Sequence, residues 1–233
     1  FLENAFPYMD NYNYHKGMKE IIQELKVLLK TKSIGTDSDR ALLLDFQAAL
    51  ETQPEKAIKL EKNALAQIEN ITADNARLVS NLHANLGGLY RMNGYPDLAR
   101  EHMGKSISLL DQFNLLHIND SIPQIANYAM FLTEQQEPER GISELQKLSG
   151  IIKEYHSDDC LDYAKVQETL GTIYLMTANL PQAKTHFKRA FKIYEKIWAD
   201  EPEMIEAKYQ EIQELYPQIG FCIGKNLSGL LTK

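Results

Sequence analysis

The polar side chains that could bind a ligand recur at fixed intervals in this sequence. Asn85 and Asn127 are 42 residues apart, and His102 and His186 are 84 residues apart. An Asn amide both donates and accepts hydrogen bonds, so a row of such amides could pair with the backbone of a bound peptide. The two His residues have no Cys or acid pair at metal-ligand spacing nearby, which favours structural or surface roles for them.

The sequence contains no pattern of a known catalytic centre. Neither Cys160 nor Cys222 lies in the sequence context of a nucleophile, and the metalloprotease, phosphate-loop, serine-hydrolase and dinucleotide-binding patterns are missing. We therefore predict that the protein is not an enzyme and binds neither a cofactor nor a metal. The two cysteines are far apart in sequence and show no pairing pattern, which favours a reduced, cytoplasmic setting.

The charge of the chain indicates which partners to expect. Its 233 residues include 25 basic and 32 acidic side chains, for a net charge of −7, which argues against nucleic acid as a partner. No apolar run approaches the roughly 18 residues that span a bilayer, and no signal-peptide pattern opens the chain. Because the chain begins at Phe1 rather than at Met, we also expect a segment upstream of it.

A sequence period of about 42 residues organises the whole chain. Four prolines follow it, at Pro54, Pro96, Pro138 and Pro181. Small residues keep the same period in two series, Gly87, Ala129 and Gly171, and then Ala57, Ala99, Gly141 and Ala183. Self-similarity at a fixed period is the signature of a repeat array, which indicates a scaffold rather than a reaction.

Each repeat is predicted to be a helical hairpin. Its proline suits the first turn of the second helix, where the missing N–H costs nothing. Asn93-Gly94 ends a first helix, because both residues tolerate the left-handed conformation. Small residues on the two helices face each other and let the backbones approach closely. The predicted fold class is an all-α solenoid of antiparallel helical hairpins.

Four segments are predicted along the chain. Residues 1–14 form an aromatic-rich N-terminal segment, and residues 15–37 contain a helix that caps or precedes the array. Residues 38–205 hold four hairpins, which start near residues 38, 80, 122 and 164. Residues 206–233 form C-terminal capping helices, since terminal repeats must cover an otherwise exposed core.

The small and aromatic residues of the clearest unit resemble the tetratricopeptide repeat. The positions that carry the resemblance are Leu86, Gly87, Tyr90, Gly94 and Ala99, and again Leu170, Gly171, Tyr174, Ala178 and Ala183. The resemblance covers about residues 38–205, and the 42-residue period is similar to that of kinesin light chains and their bacterial relatives. It implies a right-handed superhelix whose first helices line a concave, protein-binding groove. It does not imply kinesin binding.

Aligning the four units predicts which side chains line this groove. The predicted peptide-binding residues are Asn81, Asn85, Arg91, Asn127, Met130, Lys165 and Thr169. The resemblance adds that Asn at the position of Asn85 and Asn127 often holds a ligand backbone; the alternative is that each amide bonds within the scaffold or to water. Arg91 and Lys165 could hold a carboxylate or a phosphate, or could be solvated charges.

Two further segments leave alternatives open. The aromatic N-terminal segment either packs on the array or a neighbouring molecule's groove, giving a homo-oligomer, or is the severed end of a preceding unit. A row of basic residues along one second helix is predicted to be a solvated face, with an acidic partner as the alternative. The row consists of Lys184, Lys188, Arg189, Lys192 and Lys196.

We predict a non-catalytic scaffold that binds a protein or peptide in the concave groove of a tetratricopeptide-type solenoid. The alternative function is the peptide-sensing half of a bacterial regulator, whose effector or DNA-binding domain would lie upstream of Phe1. No direct contact with nucleic acid or membrane is expected in either case.

Overall fold

The structure, a computed structural model, describes residues 15–31, 35–118 and 121–215. These residues form ten α-helices and no β-strand. In chain order the helices are α1 (His15–Thr31), α2 (Asp37–Ala49), α3 (Pro54–Leu65), α4 (Ala76–Met92), α5 (Pro96–Gln112), α6 (Ser121–Glu134), α7 (Pro138–Tyr155), α8 (Leu161–Met176), α9 (Leu180–Ile197) and α10 (Pro202–Leu215). The predicted all-α repeat fold is confirmed.

The chain forms two compact units, Phe1–Leu115 and Leu116–Lys233, here called the N-terminal and C-terminal units. In the N-terminal unit α2 pairs with α3 and α4 pairs with α5, while α1 packs against α2. In the C-terminal unit α6 pairs with α7 and α8 pairs with α9, and α10 packs against α9. The first helices are therefore α2, α4, α6 and α8, and each is followed by its second helix.

The periodic prolines lie in the first turns of the second helices, as predicted. Pro54, Pro96 and Pro138 are the first residues of α3, α5 and α7, and Pro181 is the second residue of α9. A proline at these positions loses no hydrogen bond, because the first N–H groups of a helix have no partner within it. The longer last interval in the sequence corresponds to this shift by one position.

The small residues let the two helices of a hairpin approach closely. A Cβ atom added to Gly141 of α7 would lie 2.6 Å from the carbonyl oxygen of Ala129 on α6. One added to Gly87 of α4 would lie 2.6 Å from Cγ of Met103 on α5. A Cβ on Gly171 of α8 would lie 2.9 Å from the ring of Phe187 on α9. Real Cβ contacts are longer, so these positions require glycine if the helices are to stay in place.

The turns inside three of the four hairpins contain a residue in the left-handed conformation. Gly94, Gln136 and Ala178 follow α4, α6 and α8 with φ values of 76°, 64° and 58°. The N–H of the next residue then bonds back into the helix, from Tyr95 to the Tyr90 oxygen at 2.9 Å and from Asn179 to the Tyr174 oxygen at 2.8 Å. This arrangement ends many helices and requires a left-handed residue. Sequence reasoning recognised it at Gly94 only.

The first helices begin close to the predicted starts, although two begin earlier. α4 begins at Ala76 rather than near residue 80, and α8 begins at Leu161 rather than near residue 164. Before α4, the Asn75 side chain accepts from the Thr72 N–H at 2.8 Å and donates to the Asn70 carbonyl at 2.9 Å, which orders the preceding turn. The predicted features in residues 1–14 and 216–233, Cys222 included, lie outside the described residues.

Candidate peptide-binding faces

All seven predicted peptide-binding residues lie on first helices. Asn81, Asn85 and Arg91 are on α4 in the N-terminal unit, and Asn127, Met130, Lys165 and Thr169 are on α6 and α8 in the C-terminal unit. Asn85, Asn127 and Lys165 are exposed, and the other four are half-buried. We call the exposed side of α4 the N-terminal face, and that of α6 and α8 the C-terminal face. A role in peptide binding stays a prediction at all seven positions.

The amide of Asn85 is bonded within the scaffold. Its Nδ2 donates to Oδ1 of Asp45 on α2 at 2.8 Å. The bond joins two first helices that pack against each other in the N-terminal unit. The Asn85 side chain also hydrogen-bonds with Glu61 of α3, the neighbour of Asp45. Asn81 and Arg91, half-buried on the same helix, both interact with neighbouring groups.

Below Asn85 lies a pair of carboxyl groups that sequence reasoning missed. Glu61 of α3 is only 2% exposed and hydrogen-bonds with Asp45. Burial, together with the nearby Asp45 carboxyl, raises the pKa of Glu61 to about 10. Burial also raises the pKa of Asp45, although its bonds to Glu61 and Asn85 oppose this. The pair therefore holds a proton at neutral pH, because two buried carboxylates in contact cannot both ionise without a large penalty.

The sequence did contain a signal for this pair. Glu61 lies four residues after Ala57 and three before Ala64, both of which are fully or nearly fully buried. Such spacing places an acid on the buried stripe of a helix. Among the described residues, Oε2 of Glu61 is buried without a hydrogen-bond partner. An acidic residue on the apolar stripe of a predicted helix can therefore indicate a buried, protonated carboxyl group.

On the C-terminal face, Lys165 borders a pocket of about 280 Å³ between α8, α9 and α10. Other walls are formed by Trp198, Met204 and Lys208. Lys165 lies 3.8 Å from Asp162, one turn earlier on its own helix. The Thr169 hydroxyl donates to the Lys165 carbonyl oxygen at 2.9 Å, so its donor is already used within α8.

A buried polar network supports this pocket. The Tyr194 hydroxyl of α9 donates to Oε2 of Glu168 on α8 at 2.6 Å, and Nζ of Lys208 on α10 lies 2.9 Å from Oε1 of the same carboxylate. Burial and the Glu168 charge raise the pKa of Tyr194 well above its usual value. Burial alone would lower the pKa of Lys208, but Glu168 and Glu211 raise it overall. Lys208 is therefore held as a cation at the pocket wall.

The candidate metal ligands and nucleophile have structural roles in the described part of the chain. His102 and His186 both face a first-helix side chain of their own hairpin. No group of three or more His, Cys, Asp or Glu among residues 15–31, 35–118 and 121–215 could hold a metal ion. The Cys160 sulfur accepts a hydrogen bond from the Tyr163 N–H at 3.4 Å and so caps the N-terminus of α8. Sequence reasoning found no role for it.

Paired helices, periodic helix starts and close contacts at small residues define an all-α helical repeat protein. Residues 121–196, which comprise the two hairpins of the C-terminal unit, match the family model of the tetratricopeptide repeat. Over these residues, about a third of the chain, the sequence is similar to the tetratricopeptide repeat, in agreement with the resemblance noted in the sequence. A search of curated proteins by sequence found no match.

Solved structures show the same fold over most of the chain. BtubC (BKLC) from P. vanneervenii superposes with a TM-score of 0.69 at 18% identity, covering 88% of this chain and 83% of that one. A Podosopora anserina putative kinesin light chain with nearly identical TPR-like repeats gives a TM-score of 0.64 at 14% identity, over 84% and 96% of the two chains. MamA gives 0.54 at 15% identity, over 80% and 94%.

These neighbours extend the repeat fold beyond the residues that match the family model. At such identities they show the fold, which is similar to the kinesin-light-chain type that the 42-residue period indicated. Tetratricopeptide-type folds generally mediate contacts between proteins. Among the described helices, none combines the length and the apolar character that crossing a membrane requires.

Proposed function

We propose that this protein is a non-catalytic scaffold that binds an extended peptide or protein segment on the exposed faces of its first helices. The observation that carries the proposal is the placement of Asn85 and Asn127 at one repeat position, with both side chains exposed. Each lies two residues before a buried small residue, Gly87 or Ala129, at the hairpin contact. Two helical residues are about 200° apart around the axis, so each amide points away from its own hairpin.

An amide at such a position suits a ligand backbone. It donates and accepts, and peptide N–H and C=O groups repeat along any extended segment, so binding would demand little of the ligand's sequence. On the N-terminal face the acid pair hydrogen-bonds with the Asn85 side chain and thereby orients the amide. On the C-terminal face Asn127 and Met130 would hold backbone and apolar groups. Lys165 and Lys208 would hold an acidic side chain at the pocket.

The proposal includes no chemical step and places the protein in a reduced cytoplasm. Cys160 is a free, half-buried thiol that is used to cap a helix, which fits a compartment where thiols stay reduced. Asn85, Glu168 and Lys208 are tied to neighbouring helices by hydrogen bonds and an ion pair. They could hold a ligand but form no arrangement of nucleophile, base and oxyanion donors.

The test has two steps: peptide ligands are selected on the wild-type protein, and their affinities for the wild type and for matched variants are then measured. Peptides would be selected from a random phage-displayed library on the wild-type protein, and their Kd values measured by fluorescence anisotropy. Asn127→Ala should weaken the selected peptides by about 1–3 kcal/mol, because a buried ligand group would lose its partner. Gln146→Ala is the matched control, since Gln146 is an exposed amide on α7, the second helix of the same hairpin.

The control should bind every selected peptide as the wild type does. Circular dichroism should show the same helical signal for all three proteins, because both substitutions are at exposed positions. If every selected peptide bound Asn127→Ala and wild type equally, the face of α6 would not be the binding site. If no peptide or protein segment could be selected at all, the scaffold proposal itself would be wrong.

A further inference from the structure

A second surface of the C-terminal unit gathers positive charge on a chain that is acidic overall. A pocket of about 620 Å³ lies between α7, the start of α8 and α9. Its walls carry five cationic and two anionic side chains, whereas the whole chain has a net charge of −7. Four of the cations belong to the basic row of α9 and the fifth, Lys153, comes from α7. This clustering was not foreseen from the sequence, because Lys153 lies on a different helix.

The cations of this basic pocket differ in whether they are already paired. Lys196 bonds to Asp159, and Lys153 lies 3.9 Å from Asp158 and 5.2 Å from the ring centre of Tyr163. Tyr163 is itself buried, with 3% of its surface exposed, and so fixes the position of the Lys153 ammonium. The rim of the pocket is thus partly neutralised.

Three cations of α9 have no anionic partner among the residues that the structure describes. Within the described part of the chain, Lys188, Arg189 and Lys192 have no recorded ion pair or hydrogen bond, and all three border the pocket. Like charges so close together repel one another, and an anionic ligand would relieve that repulsion. If the basic row of α9 were only a solvated face, nothing would require Lys153 of α7 to lie beside it.

The spacing of these cations indicates the shape of the ligand. Lys188, Lys192 and Lys196 follow one another at intervals of one helical turn, about 6 Å along α9. Alternate side chains of an extended polypeptide repeat at about 6.6–6.8 Å, which is nearly the same distance. Carboxylates at alternate positions of an extended segment could therefore pair with successive lysines of α9. A single compact phosphate would reach only part of this row.

We propose that the basic pocket between α7 and α9 binds an extended, acidic polypeptide segment. Lys188 and Lys192 pair with carboxylates at alternate ligand positions, and Arg189 accepts a carboxylate in its planar fork. Lys153 and Lys196 exchange their weak surface partners for the ligand, while Asp158 and Asp159 limit the number of acids that the pocket accepts. This surface lies on a second helix and is separate from the faces of the proposed function.

The experiment uses an octaglutamate peptide with a fluorescent label as the probe. Binding to the full chain would be followed by anisotropy at low salt, with an octaglutamine peptide as the uncharged probe. Lys188→Glu and Lys192→Glu should each weaken octaglutamate binding by about tenfold or more, because each reverses a charge that faces the ligand. Lys184→Glu makes the same charge change on the same exposed side of α9 but outside the pocket. It should change the affinity by less than about twofold.

Three outcomes would overturn the proposal. The first is that octaglutamate binds no more tightly than octaglutamine. The second is that Lys184→Glu weakens binding as much as Lys192→Glu, which would indicate diffuse attraction to the whole helix. Alternatively, inorganic tripolyphosphate would bind more tightly than octaglutamate with the same dependence on Lys188 and Lys192, which would indicate a phosphate site. Lys188→Gln, which removes one charge without reversing it, should give an intermediate loss, and circular dichroism checks that each variant is folded.

Discussion

The Nδ1 atoms of His83 and His102 lie 2.9 Å apart across the α4–α5 hairpin. The same relationship recurs 84 residues later, where Nδ1 of His186 on α9 lies 2.9 Å from Oε1 of Gln167 on α8. Each is a hydrogen bond between the first and the second helix of one hairpin. In the His pair one ring must donate and the other accept, so the bond is lost when both rings are protonated.

This pair makes the stability of the N-terminal unit sensitive to acid. Burial, with a smaller contribution from the charge of His102, lowers the pKa of His83 from 6.5 to about 4. The unfolded chain therefore takes up a proton before the folded one does. The resulting stability is complete above pH 6.5 and is lost as the pH falls toward 4.

His83→Gln should reduce this acid sensitivity. The variant copies the Gln167–His186 arrangement and so keeps an interhelical hydrogen bond while removing one titrating ring. Wild type should lose about 1–2 kcal/mol of unfolding free energy from His83 between roughly pH 7 and pH 5, and the variant should not. Urea denaturation at both pH values measures the difference. Equal losses in the two proteins would contradict the assignment.

The contribution of Glu61 to stability should depend on pH in the opposite sense, and Glu61→Gln should remove that dependence. The folded pKa of Glu61 lies above its unfolded value of 4.5, so its contribution is fully present below pH 4.5 and is lost as the pH rises toward about 10. The glutamine is always neutral and can donate to Asp45 in place of the protonated acid. At neutral pH it should raise the unfolding free energy, on the order of 1–3 kcal/mol.

The matched control for this variant is Glu55→Gln on the same helix. Glu55 is exposed in the first turn of α3, so its neutralisation should leave the pH dependence unchanged. Denaturation curves from acid to alkaline pH distinguish the two variants. If Glu61→Gln followed the wild-type pH profile, the carboxyl pair would not hold the proton that we assign to it.

Two glycines of α7 should respond oppositely to the same substitution. Gly141→Ala should destabilise the C-terminal unit by about 1–3 kcal/mol, because the new Cβ would meet the Ala129 backbone, which cannot swing aside. Gly150→Ala meets no atom within 4 Å and should stabilise the unit by up to about 1 kcal/mol, since alanine favours helix. Thermal melts of the two variants test the hairpin contact directly. Similar melting shifts would count against it.

Replacing a non-glycine residue that has a positive φ by glycine should stabilise the protein. Ala178 has φ of 58°, where a Cβ atom is unfavourable, so Ala178→Gly should raise the unfolding free energy by about 0.5–1 kcal/mol. Gly94→Ala, at the equivalent turn with φ of 76°, should lower it by a similar amount. Because nothing lies within 4 Å of a Cβ at Gly94, the loss would come from backbone strain rather than from a clash. Melting temperatures that moved in the same direction for both would refute this account.

Much of the hairpin architecture could be predicted because it depends on local constraints. A proline removes an N–H, and a glycine at a helix crossing removes a Cβ, wherever the chain places them. These effects act on the residue itself and recur with the period. The roles of Pro96 at a helix start and of Gly141 at a helix contact could therefore be predicted. The turns at Gln136 and Ala178 were less visible, because their residues do not by themselves favour the left-handed conformation that the repeat imposes.

The candidate surfaces could be predicted only in part. Repeat alignment placed Asn85 and Asn127 on first helices, and both side chains are exposed. It could not foresee that Asn85 bonds to Asp45, because that contact joins side chains 40 residues apart. Whether two such groups meet depends on how far each helix is rotated about its axis and how closely the helices pack.

By itself, the sequence determined that this protein is built from helical hairpins with a period of about 42 residues, since periodic small residues and prolines act on the backbone locally. The tertiary structure alone decided which titratable groups meet. It buried Glu61 against Asp45, paired His83 with His102, and brought Lys153 of α7 beside the lysines of α9. The physical reason is that the energy of a charge depends on burial and on its neighbours in space, and helical periodicity specifies neither of them completely.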